Sequence, residues 1–229
     1  MATVAEQLGQ VLRHRIVFIG ASLLPLMETE DHVLSTLRPT DDVDAVTVTA
    51  SYVKKGALDE RLRAQGFTHD VGDGTHMDRW RSPTGVIFHC VSCGAHVGGT
   101  GNPEDLWVID HAVETDLPPR VRHASAVGLL RLKLSTYGDR GARDPLGSKD
   151  LSDIATLLAT RPQLVAEVHA TDPVVADAIT EKIRALLLTH RTVSAIRAHV
   201  GECGPLFQGV DDLVLERLQA LALRPMTPS

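Results

Sequence analysis

The chain has 229 residues, of which 43% are hydrophobic and 23% are charged, and its formal net charge is −6. This composition is ordinary for a soluble globular protein, and no apolar run approaches the roughly eighteen residues that a membrane-spanning helix needs. The first ten residues lack the basic start and apolar core of a signal peptide, and three cysteines do not imply a disulfide framework. We therefore expect a cytoplasmic protein that makes no contact with a membrane.

Charge is unevenly distributed along the chain. Residues 1–120 carry 10 Lys and Arg against 17 Asp and Glu, whereas residues 121–229 carry 13 against 12. An acidic first half is a poor surface for nucleic acid, because the phosphate backbone is attracted to basic patches. Residues 131–149 are a local exception, with five basic side chains against two acidic ones. The patterning there allows a modest phosphate-facing patch.

The first half of the chain mixes helical and strand patterns. In chain order, the predicted elements are a helix over 4–12, a strand over 16–19 that turns into a helix, a strand that ends near 48, a helix over 51–65, a strand from 67, a hairpin of 77–81 with 86–91, and a strand over 106–113. Gly66 suits the position after the helix end, and Pro118-Pro119 makes a plausible boundary.

The second half shows apolar residues at helical spacing throughout. The predicted helices cover residues 125–137, 148–160, 173–190, 193–200 and 210–223. Ser148 is well suited to cap the second of these helices. The fold class expected is therefore α+β, with a domain of mixed β-sheet and flanking helices over residues 1–117 and a helical bundle over residues 118–229.

Three carboxylates lie directly ahead of a β-branched run, in the sequence Arg38-Pro39-Thr40-Asp41-Asp42-Val43-Asp44. Side chains at i and i+2 of a strand project from one face, so Asp42 and Asp44 are expected to point together. Two adjacent carboxylates repel each other, and a divalent cation relieves that repulsion. An acidic loop that simply enters a strand is the alternative.

A second stretch, Ile16-Val17-Phe18-Ile19-Gly20-Ala21-Ser22, reads as a strand that turns into a helix, with Ser22 at or near the N-cap. Glycine lets the backbone approach a ligand closely, and the free N–H groups of a helix start can hold a phosphate. Taken alone, the stretch also fits an ordinary connection between a strand and a helix.

Together, these two stretches resemble the nucleotidyltransferase superfamily, in which a Gly-Ser or Gly-Gly turn holds nucleotide phosphates and an Asp-x-Asp pair on the next strand binds magnesium. The resemblance implies that Asp42 and Asp44 are catalytic and hold Mg²⁺ or Mn²⁺, with an NTP as substrate. It assigns nucleotide binding to four residues of these stretches: Gly20, Ser22, Arg38 and Thr40.

The second half strengthens the resemblance. Lys133 lies among leucines, and the sequence Lys149-Asp150-Leu151-Ser152-Asp153-Ile154 follows; together they are similar to the Lys and Arg-Asp-x-x-Asp-Leu motif of AbiEii-type nucleotidyltransferase toxins and their bacterial relatives. Here Lys149 stands where Arg is usual, which keeps the charge but loses the planar fork. The family's motif implies catalytic roles for Lys133 and Asp150. From the residues alone, Lys133 equally suits a snorkelling side chain, and Asp150 a residue that interacts with the helix dipole.

The sequence departs from the family at one position. Many nucleotidyltransferases have a third metal-binding carboxylate on a neighbouring strand, and the matching strand here, residues 86–91, offers His89 instead. Imidazole is a poor ligand for magnesium, which prefers oxygen. Three readings follow: Asp42 and Asp44 suffice, another carboxylate such as Asp78 or Asp110 substitutes, or catalysis has been lost.

The same strand raises a rival interpretation. His89, Cys90, Cys93 and His96 lie within eight residues, and zinc prefers such ligands. Adjacent strand residues face opposite sides, so the four converge only if the strand breaks; otherwise Cys90 is simply a buried strand residue.

The function expected is metal-dependent transfer of an NMP from an NTP to an acceptor. The toxin-like relatives imply that the acceptor is RNA, such as a tRNA 3′ end, or a protein side chain, and that a cognate antitoxin is a partner. The alternative is a catalytically weakened protein of the same fold that binds nucleotide or a partner.

Overall fold

The computed structural model describes residues 1–27, 40–49, 51–70, 78–94, 103–116, 118–201 and 209–226. The fold is α+β with a mixed seven-stranded sheet, as predicted from the sequence. The chain forms two compact units, each made of two segments. The first unit comprises Met1–Leu23 and Pro39–Leu129, and the second comprises Leu24–Arg38 and Leu130–Ser229.

The sheet belongs to the first unit and has the strand order β3-β4-β5-β2-β1-β7-β6. The strands are β1 (Val17–Ile19), β2 (Asp42–Val48), β3 (Thr68–His69), β4 (Arg79–Arg81), β5 (Ile87–Cys93), β6 (Val113–Glu114) and β7 (Arg122–His123). The pairs β2–β5 and β1–β7 are parallel, and the other pairs are antiparallel. Strand β2 therefore lies at the centre of the sheet, between an antiparallel and a parallel neighbour.

One face of this sheet carries an aromatic core. The ring of Phe88 on β5 lies 6.5 Å from that of Phe18 on β1 and 5.6 Å from that of Phe67. Together with Trp80 on β4, these rings are fully buried. Because neighbouring strand residues alternate between faces, this core fixes which side chains of β2 and β5 face the other way.

The helices of the first unit are α1 (Ala2–Gln7), α2 (Gly9–Arg13), α4 (Tyr52–Ala64) and α5 (Pro103–Asp110), together with the start of α6 (Ala126–Thr136). The helix predicted over 51–65 is confirmed. The Ser51 hydroxyl caps α4 by accepting from the Lys54 backbone N–H, and Gly66 follows the helix end with φ +83°. The hairpin of β4 with β5 is likewise confirmed.

Two predictions for the first unit are wrong. The strand predicted over 106–113 is helix α5, which begins at Pro103 and places Glu104 and Asp105 in its first turn, where they favour a helix start. The helix predicted over 4–12 is split into α1 and α2, because Gly9 adopts φ +67°.

The second unit is helical in the part described. It contains α3 (Leu24–Met27), the rest of α6, α7 (Lys149–Thr160), α8 (Leu164–Ala170), α9 (Pro173–Leu187), α10 (His190–Gly201) and α11 (Val210–Ala222). The predicted helices are confirmed, and α8 was not predicted. Helix α7 packs against α10 and α11 through a buried apolar face. Among the described residues, no helix has both the length and the apolar character needed to cross a membrane.

Candidate functional site

Asp42 and Asp44 lie on one face of β2. Their side chains are half-buried, whereas Val43 and Ala45 between and after them are buried on the opposite face, in the aromatic core. This alternation brings the two carboxylates together at the start of the central strand. Burial of the apolar side chains of β2 thus fixes the direction in which Asp42 and Asp44 point.

The Thr40 hydroxyl lies beside this pair. It donates a hydrogen bond to Oδ1 of Asp42 at 2.6 Å, which fixes the orientation of that carboxylate at the entry to β2. Arg38, which was also predicted to bind nucleotide, lies outside the described residues.

Gly20 is in direct contact with Asp44. In the antiparallel register of β1 with β2, Ile19 pairs with Asp44, so Gly20 follows at the level of the carboxylate. Its φ is +84°, and a Cβ added there would lie 2.3 Å from Oδ2 of Asp44. Only glycine fits this position without strain, because a side chain would meet both the backbone penalty and the carboxylate.

Ser22 follows two residues later in a short 3₁₀ turn, Ala21–Leu23. Its hydroxyl oxygen is buried and has no hydrogen-bond partner among the described residues. A buried hydroxyl without a partner is costly, so this position favours an additional polar group nearby.

His89 lies directly beside Asp44 on the neighbouring strand. The parallel register of β2 with β5 pairs the two residues, and Nδ1 of His89 is 3.9 Å from Oδ1 of Asp44. Both side chains are about one-third exposed. The strand neighbour of the acidic pair is therefore an imidazole.

Neither alternative carboxylate completes a three-oxygen site. The Asp78 carboxylate lies 3.0 Å from Nζ of Lys55 on α4, on the face of the sheet to which Cys90 rather than His89 points. Asp110 is the exposed last residue of α5. Within the described residues, no group of three or more His, Cys, Asp and Glu side chains is placed to hold a metal ion.

The donor set of the acidic pair nonetheless suits magnesium. Mg²⁺ commonly uses one or two protein carboxylates and completes its octahedron with waters and substrate phosphates. Asp42 and Asp44 supply oxygen ligands of that kind from one face of a single strand.

The zinc interpretation gains no support from the residues described. Cys90 and Cys93 are buried thiols without a disulfide, and Cys90 faces away from His89. Burial, and to a smaller extent the Asp78 carboxylate, raises the pKa of the Cys90 thiol to about 12, which opposes the thiolate form that zinc requires. His96 lies outside the described residues.

Lys133 and Asp150 meet in the second unit. Nζ of Lys133, near the end of α6, lies 3.2 Å from Oδ1 of Asp150 in the first turn of α7. The Ser148 hydroxyl caps α7 by accepting from the Leu151 backbone N–H, so the cap fixes the turn that presents Asp150. The predicted N-cap is confirmed.

Two residues of this cluster were not predicted as site residues. Asp153 lies 2.6 Å from Nζ of Lys133, and Nε of Arg140 donates to Oδ2 of Asp150 at 3.0 Å. The spacing of Asp150 and Asp153, three residues apart on a helix, is the sequence signal that places both on one face. No comparable periodicity marks Arg140, which lies in a π-helical turn, Tyr137–Gly141.

The cluster is compact and electrically balanced. Side chains of Asp150 and Asp153 are 5% and 3% exposed, and that of Lys133 is 13% exposed. Burial on its own lowers the pKa of Lys133, but the two carboxylates more than offset this effect and hold the pKa above its ordinary value. Lys133 is therefore a fixed ammonium at neutral pH.

Comparison with known proteins adds no assignment to this geometry. The chain matches no protein-family model and shows no significant similarity to a curated protein.

Proposed function

We propose that this chain is a metal-dependent nucleotidyltransferase that moves an NMP from an NTP to an acceptor. The observation that carries the proposal is the contact of Gly20 with Asp44. In this contact, the glycine turn after β1 meets one of the two carboxylates on the adjacent strand β2. A Cβ added at Gly20 would lie 2.3 Å from the carboxylate oxygen of Asp44. A phosphate held by the backbone N–H groups of this turn would therefore lie beside the acidic pair.

The acidic pair is the proposed metal site. Asp42 and Asp44 would hold Mg²⁺ or Mn²⁺, which would neutralise charge on the α-phosphate and on the departing pyrophosphate. Thr40 supports this role because its hydroxyl holds the Asp42 carboxylate in one orientation. Gly20 lets the turn pack directly against Asp44, and the Ser22 hydroxyl, which has no hydrogen-bond partner among the described residues, follows in the same turn.

In the second unit, Lys133 is the proposed phosphate-neutralising cation. Asp150 and Asp153 keep it protonated, and Arg140 holds Asp150 from its other oxygen. Because Asp150 is bonded to both Lys133 and Arg140, its role in the proposal is to orient Lys133. The acceptor proposed is RNA, such as a tRNA 3′ end, or a protein side chain. A cognate antitoxin is the partner that the toxin-like resemblance suggests.

A second candidate function is favoured by His89. An imidazole, rather than a carboxylate, neighbours Asp44, and no third carboxylate completes the pair among the described residues. A protein of this kind would bind nucleotide through the same residues but turn it over weakly, because the metal is held by fewer oxygens.

The test is transfer of label from each of the four α-³²P-labelled NTPs, with Mg²⁺ or Mn²⁺, to total RNA or lysate protein. Label on an acceptor that is lost in Asp42→Asn supports the enzyme and identifies the acceptor class. Asp41→Asn is the matched control, since it removes the same charge from an exposed neighbour outside the pair.

The variant His89→Asp separates the two candidates. Wild-type protein that transfers no label, together with a His89→Asp variant that does, would establish the weakened enzyme. No label from either folded protein would reject both candidates as catalysts.

A further inference from the structure

A cavity of about 560 Å³ opens in the first unit at the far end of β2 from the acidic pair. Thr47 and Val48 of β2 and Thr49 after it line the cavity, together with residues of α2, α4, α5 and β7. Thr49 follows Asp44 by five residues, which is about 16 Å along an extended strand. The cavity is therefore separate from the candidate metal site, and its volume lies in the range of small-molecule pockets.

The lining carries four cations and no carboxylate: Arg15, Lys54, Arg61 and Arg122. None of the four forms an ion pair with another of the described residues. This concentration runs against the composition of the first unit, because Met1–Leu23 and Pro39–Leu129 together hold 10 basic against 14 acidic side chains. In an acidic unit, four cations gathered around one cavity create a local site for an anion.

Helix α4 supplies one wall through a single face. Lys54, Ala57, Leu58 and Arg61 follow the i, i+3, i+4, i+7 spacing, so their side chains project toward the cavity together. The two charged members are exposed at the rim and Leu58 is buried at the base. The helix thus contributes both charge and apolar surface.

Two hydrogen bonds support the opposite wall. The Thr47 hydroxyl donates to the Arg15 carbonyl at 2.8 Å, and Nη2 of Arg122 donates to the Ile109 carbonyl at 2.8 Å. The second bond uses one of the five N–H donors of Arg122 and fixes the guanidinium beside the cavity. The remaining donors of Arg122 are available for the oxygens of an anionic group.

The floor of the cavity is apolar. Leu12, Leu58 and Ile109 line it and are each less than one-tenth exposed. A site with a cationic rim over an apolar floor suits a ligand that combines an anionic group with a hydrophobic body. A long polyanion is disfavoured because the rest of the region is acidic.

We propose that this cavity, lined by Arg15, Lys54, Arg61 and Arg122, is a second ligand site that binds a small organic phosphate. Guanidinium groups bind phosphate oxygens in bidentate fashion, and the apolar floor receives the organic part. The proposal does not depend on the proposed transferase activity, since it uses none of the residues assigned to that site.

The test is calorimetric titration of the full chain, in EDTA, with AMP and separately with inorganic pyrophosphate. Binding of AMP that is at least tenfold tighter than binding of pyrophosphate is expected, because only AMP reaches the apolar floor. In Arg15→Gln and Arg61→Gln, the Kd for AMP is expected to rise about tenfold or more, since each removes a charge-assisted hydrogen bond.

Two control variants locate the bound ligand. Arg120→Gln removes the same charge from an exposed position of the first unit outside the cavity and is expected to leave the Kd unchanged. Asp42→Asn is also expected to leave it unchanged, which distinguishes this site from the proposed metal site. Absence of AMP binding, or AMP binding insensitive to both arginine variants, would overturn the proposal. So would a short oligoribonucleotide that binds through Arg61 when neither AMP nor pyrophosphate does.

Discussion

The two units of this protein each hold a pair of carboxylates, and the pairs differ in what surrounds them. Asp42 and Asp44 are half-buried on one face of a strand, and an imidazole nitrogen of His89 lies 3.9 Å from Asp44. Asp150 and Asp153 are almost fully buried and hold the Lys133 ammonium at 3.2 and 2.6 Å.

The first pair can therefore bind a cation from solution, whereas the second pair already binds the Lys133 ammonium. Water still reaches the half-buried pair and screens it, so its repulsion is small and an external ion can enter. The buried pair is tolerable only because a resident cation balances it. Removing charge should therefore affect the stability of the second unit much more than that of the first.

The largest effect is expected from Lys133→Met. This change keeps the aliphatic stem but removes the ammonium that both buried carboxylates hold, so the free energy of unfolding should fall by about 3–5 kcal/mol. Urea denaturation followed by circular dichroism measures the loss. Asp42→Asn should change stability by less than about 0.5 kcal/mol, because it relieves repulsion. Equal losses in the two variants would contradict the comparison.

An intermediate effect is expected from Gly20→Ala. The substitution meets a φ of +84°, which costs about 1–2 kcal/mol for an L-residue, and adds the clash with Asp44. Gly85→Ala is the matched control, because Gly85 has φ +88° but no atom within 4 Å of the added Cβ. Gly20→Ala should therefore destabilise more than Gly85→Ala by urea denaturation, and Asp44→Ala in the same chain should recover part of the difference. Equal losses of unfolding free energy in the two glycine variants would show that the contact with Asp44 has no effect on stability.

The smallest effect concerns His123, a buried side chain of the first unit that, unlike Lys133, has no carboxylate partner among the contacts described. Burial lowers the pKa of His123, and its bond to the Ala124 carbonyl offsets this only in part. The unfolded chain therefore takes up a proton more readily. The contribution of neutral His123 to the free energy of unfolding is fully present above the unfolded pKa of about 6.5. It is lost as the pH falls toward the pKa of the folded state.

The corresponding measurement is the free energy of unfolding at pH 7.5, 6.5 and 5.5 in wild type and His123→Gln. One proton accounts for at most about 1.4 kcal/mol per pH unit, and the wild-type slope should exceed the variant's by less than this amount. Taking the difference between the two proteins removes the contribution of the other ten histidines. Parallel pH profiles would show that His123 titrates normally.

Local signals were sufficient to predict much of this fold. Gly66 marks the end of α4 and Ser148 the start of α7, because a positive-φ glycine and a cap hydroxyl are properties of single residues. The common face of Asp42 and Asp44 follows in the same way from the two-residue period of a strand. Helix α5 was missed because its apolar run, Leu106 to Ile109, suits a strand equally well, and Pro103 with two acidic residues was the stronger signal.

Contacts between distant segments could not be predicted. The clash that requires Gly20 depends on the register of β1 with β2, which no local pattern specifies. Helical spacing could have placed Asp153 on the same helix face as Asp150, but its bond to Lys133 depends on the packing of separate helices. The cationic cavity is lined by Arg15, Lys54 and Arg122, which come from three separate parts of the chain. The composition therefore does not reveal this local concentration of positive charge.

The position of β1 in the sheet also has a consequence for biosynthesis. This strand pairs on one side with β2 and on the other with β7, where Phe18 meets His123, a residue made 105 positions later. At about 5–20 residues per second, the ribosome supplies that second partner roughly 5–20 s after the first strand is made. During that interval the nascent chain carries an unpaired strand edge of Val17 and Phe18, a segment that a chaperone could bind until β7 emerges.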